Sequence, residues 1–274
     1  MLPLRDATPP RRTPVITLAI IAACTGAFIY ELWVLVGGGV DALDELLFDW
    51  GAVPADVVAA LQAGDVVSQA VAGLVTSMFL HGGWLHLLGN MLFLWIFANR
   101  VEDRMGRIVF PIFYLVGGLA AGMTHVLVDP TSDVPAVGAS GAISAVMGAY
   151  VVLYPRARIQ SLVFLGFFYQ LIAVPSVIVL GFWFALQLID GFASLGAATE
   201  AGGGVAWFAH IGGFVAGAAL ALPFRFLGRL RPVPPTLLAA TGTDAPEALA
   251  PAPVLAPPPA PPDPTLLPPP APGR

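Results

Sequence analysis

The sequence predicts an all-α polytopic membrane protein with six transmembrane helices and both termini in the cytoplasm. The share of apolar residues, the spacing of uncharged runs and the placement of the arginines carry this prediction. Of the 274 residues, 57% are hydrophobic and only 11% charged, with a mean hydropathy of +0.83. A water-soluble fold has no core large enough to hide that much apolar surface. Runs near the ~20 residues needed to cross a bilayer fall at 15–36, 85–99, 108–128, 139–154, 171–190 and 205–227. An even number of crossings returns the chain to its starting side.

The arginines test that count independently, because basic residues flanking short spans stay on the cytoplasmic side. The chain has no lysine and twelve arginines. Arg5, Arg11 and Arg12 precede the first run, Arg100, Arg104 and Arg107 separate the second and third, and Arg156 and Arg158 separate the fourth and fifth. Arg225, Arg229, Arg231 and Arg274 follow the sixth. With six crossings all twelve lie on one side. The other loops carry Asp41, Asp44, Asp49, Asp65, Asp129 and Asp133 among their acids. The net charge of −5 averages two separated loop sets, so it says nothing about partners, and no nucleic-acid partner is expected.

Three parts follow. Residues 1–14 lack the apolar core of a signal peptide and read as a cytoplasmic N-terminal segment. Residues 15–230 form the membrane domain, beginning with an uncleaved first helix that holds Cys24, the one cysteine, as apolar filler. Residues 231–274 contain sixteen prolines, which remove backbone donors and favour extended polyproline II. That stretch reads as a disordered Pro/Ala-rich cytoplasmic tail, with docking to a proline-binding partner as its candidate role.

Polar residues inside spans are costly enough to be functional candidates. HGGWLHLLGN opens the second run with His81, His86 and Asn90, GASGAIS opens the fourth with Ser140, and AWFAHIGG opens the sixth with His210. His86 lies fourteen residues before Arg100, Ser140 sixteen before Arg156, and His210 fifteen before Arg225. At ~1.5 Å per helical residue, all three stand roughly 21–24 Å above the inner arginines, on separate helices. His86 and Asn90, spaced i, i+4, share one face. His81 falls on another face or in the preceding loop.

Gly141, Ala145 and Gly148 form a small-residue stripe on the fourth helix, and Gly213 and Gly217 form a GxxxG on the sixth. Packing one stripe on the other draws His210 toward Ser140. Taken alone, Ser140 reads as a helix N-cap. Its glycine neighbours change the balance, because Gly138 permits close backbone approach and Gly141 leaves the hydroxyl uncrowded. A serine beside a histidine base is an activated nucleophile, and His86, Asn90 and the Ser140 N–H are candidate oxyanion donors.

HGGWLHLLGN, GASG and AHIGGFVAG, in that order, resemble the rhomboid family of intramembrane serine proteases. TSMFLHGGWLH, VEDRMGRIVF and GGGVAWFAHIGG add to the likeness, which covers roughly 68–228. The resemblance implies a bacterial-type rhomboid-like bundle of six helices and a Ser140–His210 dyad. His86 and Asn90 join the oxyanion hole, with Gly138, Gly141, Gly213, Gly217 and His81 in support. It further implies cleavage of transmembrane segments near the outer face through an acyl-enzyme, without metal or other cofactor. Span five and its outer loop would flex to admit substrate, and irregular backbone at His81 and Gly202 to Gly204 would admit water. Partners would be transmembrane protein substrates and the lipid bilayer, in a bacterial plasma membrane. Two positions depart from the pattern. Ser144 stands where relatives often carry an aromatic residue supporting the histidine, so support for His210 is expected elsewhere, with Trp207 a candidate. Ser68 and Gln69 stand near the usual tryptophan–arginine pair of the outer loop.

The main rival is a catalytically silent relative that binds membrane proteins, and the second is a transporter or channel. There is no HExxH motif, and a site of His81, His86 and His210 lacks a second shell for a metal. Asp190 reads as an interface carboxylate rather than a third catalytic group, and His125 as an interfacial residue.

Overall fold

A computed structural model describes residues 1–8, 10–165, 168–195 and 206–227. The tail at 231–274 and Gly202 to Gly204 lie outside the described residues. In chain order the elements are β1 (Leu2–Asp6), α1 (Val15–Trp50), α2 (Pro54–Gln62), α3 (Gln69–Thr76), α4 (Trp84–Met105), α5 (Val109–Val128), α6 (Ser140–Leu153), β2 (Arg158–Leu165), β3 (Phe168–Pro175), α7 (Ser176–Ser194) and α8 (Trp207–Leu227).

Helices α1, α5, α7 and α8 are each long and apolar enough to cross a bilayer, and α3 with α4 makes a fifth candidate bent by 76°. Large apolar side chains cover their outer faces, including Trp33, Val36, Leu85, Ile112, Phe182 and Val215. Such a surface is stable against lipid and not against water. The protein is an integral, multi-pass membrane protein.

α6 has only 14 residues, about 21 Å of rise, against a hydrocarbon layer of ~30 Å. It is apolar all round, as a helix enclosed by others must be, and every residue from Gly141 to Tyr150 is buried. Its first turn lies beside Ala209 and Gly213 in the first two turns of α8. The chain before it runs without helix from Asp129 to Ala139, held by an Ala52–Ala136 bridge and by Gly138 N–H donating to the Ser77 carbonyl at 2.8 Å.

The glycines set how closely the helices approach. A Cβ on Gly213 would strike the Gly141 carbonyl, one on Gly217 the Ala145 carbonyl, and one on Gly148 the Phe214 carbonyl. α6 and α8 thus meet backbone to backbone. At the other face of α6, Phe97, Phe110, Tyr114, Ile143, Met147 and Tyr150 form the centre of the core.

The arginine-bearing ends come together. Arg100 pairs with Asp6 at 3.1 Å, Arg104 donates to the Phe224 carbonyl at 2.8 Å, and Arg107 donates to the Thr13 carbonyl at 3.4 Å. Close by, Glu102 accepts from the N–H groups of Ile16 and Thr17 and from the Thr17 hydroxyl, at 3.0, 2.8 and 2.7 Å. That carboxylate satisfies donors at the start of α1 that no helical carbonyl can reach.

The all-α expectation needs correcting in four places. β1, β2 and β3 form a three-stranded antiparallel sheet in that order, uniting the first residues with the α6–α7 connection. Span five accordingly starts at Ser176, because 171–175 belongs to β3. The first helix runs past the expected end at 36 to Trp50, broken at Gly39, whose φ of 83° only glycine adopts freely. α2, which follows, falls in a stretch for which no helix is expected from the sequence.

Candidate active site

Ser140 is the first residue of α6, and Ala139 occupies the cap position without any side-chain capping bond. The hydroxyl therefore does not cap its own helix. Ser140 Oγ lies 2.8 Å from His210 Nε2. Because α6 begins there, the N–H groups of its first turn have no intrahelical acceptor and add the positive end of a helix dipole.

His210 sits one turn into α8 and is 9% exposed. Its second nitrogen, Nδ1, lies 2.6 Å from Gln187 Oε1 on α7. An amide oxygen can only accept, so Nδ1 carries the hydrogen and Nε2 is left with the lone pair that accepts from the serine hydroxyl. The ring of Trp183 lies 5.9 Å from the imidazole, tilted by 42°, and Trp207 meets it edge-on at 6.2 Å.

His86 and Asn90, on successive turns of α4, face Gly138. A Cβ at Gly138 would lie 2.6 Å from His86 Nε2 and 3.6 Å from Asn90 Nδ2. Gly138 also has a φ of 128°, a conformation strained for any residue with a side chain. Gly82 N–H points to His86 Nδ1 at 3.4 Å, leaving Nε2–H as the ring's free donor. Asn90 Nδ2 is buried and has no protein partner among the described residues. Two side-chain donors thus flank the loop that leads into Ser140.

His81 lies in the bend between α3 and α4, 2% exposed, rather than on a helix face. Its N–H donates to the Glu31 carboxylate at 3.0 Å, its Nδ1 lies 3.1 Å from the Phe79 carbonyl, and its ring is 5.3 Å from that of His86. A cavity lined by Gly138, Ser140, Gly141, His125, Ala206 and Ala209 opens beside the serine. His125, near the end of α5, is among the residues that line this cavity.

Ser144 is fully buried one turn after Ser140, and its hydroxyl donates to the Ser140 carbonyl at 2.6 Å. It makes no hydrogen bond to His210. Ser68 caps α3 by accepting from Val71 N–H at 3.4 Å, and Gln69 donates to the Asp49 carbonyl at 2.8 Å. These bonds fasten the start of α3 to the end of α1 and to its own first turn.

Glu31 in α1 and Gln187 in α7 are among the buried polar residues that escaped the sequence reading. The signal was available for both, since each is a polar group within an apolar run. Asp190 is one turn beyond Gln187 on the same helix.

The rhomboid domain model matches residues 68–225. Rhomboid protease GluP of Bacillus subtilis is 36% identical over 152 residues, 55% of this chain and 26% of that protein. RHOMBOID-like protein 5 of Arabidopsis thaliana is 36% identical over 76 residues, covering 28% of this chain and 25% of its own length. Rhomboid protein 1, mitochondrial, of Saccharomyces cerevisiae is 28% identical over 157 residues, 56% of this chain and 41% of that protein. The chain thus spans about a quarter of the first two relatives and under half of the third. The matched stretch runs from the start of α3 into the last turn of α8 and holds Ser140, His210, His86, Asn90 and Gln187. With more than half of its length so matched, the chain belongs to the rhomboid family.

Proposed function

We propose that this protein is an intramembrane serine endopeptidase that cleaves transmembrane segments of other membrane proteins near the outer face of the bilayer. The observation that carries the reading is the 2.8 Å contact between Ser140 Oγ and His210 Nε2 at the half-buried start of α6. Nearly every other residue on that helix is apolar, so a paired hydroxyl and imidazole there serve chemistry better than packing. Relatives named as rhomboid proteases in Bacillus subtilis support the same reading.

In this mechanism His210 Nε2 takes the Ser140 proton as Oγ attacks the scissile carbonyl. The negative charge that develops on the substrate oxygen meets His86 Nε2–H, Asn90 Nδ2–H and the Ser140 N–H, each typically worth ~3 kcal/mol in such a site. The imidazolium then gives its proton to the leaving amine, and an acyl-enzyme remains on Ser140. Water drawn from the outer side, deprotonated by the same nitrogen, releases the second product. Gly138, Gly141, Gly213, Gly217 and His81 support this arrangement through helix contact and backbone shape. The termini and the Pro/Ala-rich tail belong to the cytoplasmic side, and the host membrane is a bacterial plasma membrane.

The test is cleavage of a transmembrane peptide by the purified full chain in detergent, beside Ser140→Ala, with fluorophosphonate labelling of Ser140 as a second readout. Cleavage and labelling by wild type alone support the reading. Equal cleavage by both proteins removes Ser140 from the chemistry. Neither cleavage nor labelling favours a silent relative that binds membrane proteins.

A further inference from the structure

Gln187 is 6% exposed on a helix whose neighbouring side chains, Phe182, Leu186 and Ile189, face outward. A primary amide at this depth is costly unless it finds partners. Its oxygen is the partner of His210 Nδ1 at 2.6 Å. Trp183, four residues earlier and so on the same face of α7, lies against the same imidazole. One helix face thus supplies both a hydrogen-bond acceptor and a wall for the ring.

We propose that Gln187 is the positioning residue of His210, holding the imidazole in the tautomer and rotation that leave Nε2 free to accept the Ser140 proton. This rests on the protease reading above. Without the amide oxygen, the ring can turn about its Cβ–Cγ bond, and the proton can move to Nε2, where the ring no longer acts as a base toward serine. Among the described residues no other hydrogen-bonding group takes this part. Ser144 is committed to the Ser140 carbonyl, Trp207 meets the ring edge-on, and the hydrogen bonds of the His210 ring go to Gln187 and Ser140, with none to Asp190. As an uncharged acceptor, Gln187 orients the ring without placing a second ionised group inside the bilayer.

The experiment measures kcat and KM of the full chain in detergent with a transmembrane peptide substrate, for wild type, Gln187→Leu, Gln187→Asn and Gln187→Glu. Thermal unfolding and fluorophosphonate labelling of Ser140 accompany each. The leucine and asparagine variants, one lacking an acceptor and the other too short, are expected to lose about 10-fold or more in kcat, a fraction of what a general base supplies. KM should stay within about twofold, because the lost interaction belongs to the chemical step and not to binding. Gln187→Glu keeps an acceptor at the same reach and is expected to recover most of the lost kcat, with labelling following the same order. A leucine or asparagine variant at wild-type kcat overturns the proposal, as does a glutamate variant no better than leucine. If the leucine variant unfolds, the asparagine and glutamate pair decides by the same criteria. A wild type that neither cleaves nor labels overturns the protease reading itself, a result distinct from either of these.

Discussion

A Cβ on Gly138 would lie 2.6 Å from His86 Nε2, so the width of the pocket entrance is fixed by the absence of one carbon. Gly138→Ala is expected to displace His86, strain a backbone at φ 128° and lower kcat by about 10²-fold, the scale of one lost oxyanion donor. The same variant should also unfold at a somewhat lower temperature, since backbone strain of this kind costs about 1–3 kcal/mol. Wild-type kcat in Gly138→Ala would remove His86 from the oxyanion site.

Gly217→Val tests the backbone contact between α6 and α8. The added carbons meet the Ala145 carbonyl, a rigid group that yields only if the helices separate. Destabilisation of about 1–3 kcal/mol is expected from overpacking of this kind, read as a lower unfolding temperature in detergent. Gly26→Ala is the control, because nothing lies within 4 Å of a Cβ there, and it should be neutral or slightly stabilising.

Glu31→Ala removes the acceptor for His81 N–H at the bend before α4. A buried donor left unpaired costs about 1–3 kcal/mol, and the bend carries Gly82, whose N–H faces His86. Reduced thermal stability together with slower labelling of Ser140 is the expected pair of results. Glu31→Gln keeps an oxygen acceptor and should lose less of both.

Asp6 belongs to the terminal strand yet anchors the membrane bundle. Its side chain is 8% exposed, Arg100 is 17% exposed, and the Tyr150 hydroxyl also donates to its carboxylate. Asp6→Ala strands a half-enclosed guanidinium, and a loss of about 2–4 kcal/mol is expected for an ion pair more sheltered than a surface one. Unfolding followed by circular dichroism measures it. Raised salt should weaken wild type only slightly, because screening reaches enclosed pairs poorly.

Much of this organisation was legible in the sequence because hydropathy and helical rise act over many residues at once. Five of the six expected apolar runs begin within two residues of a helix start, and Ser140 and His210 stood out as polar groups at one depth on separate helices. The sheet was hidden because the end of β3, Leu171–Pro175, is as apolar as the helix that follows it, so residues 171–175 merged with that helix. Gln187 and Glu31 were missed for a different reason. The polarity of each was visible within a mostly apolar helix, but which way it points depends on helix rotation that no local pattern fixes.

The shortness of α6 has a consequence for solvent rather than for lipid. Enclosed by other helices from Gly141 to Tyr150, it meets few acyl chains, so what can lie against its ends is protein or water. The irregular stretch 129–139 that leads into Ser140 is tolerated at membrane depth only beside one of these, and its amides should exchange hydrogen faster than those of α6. Equal protection of the two segments would mean that the approach to the serine is dry.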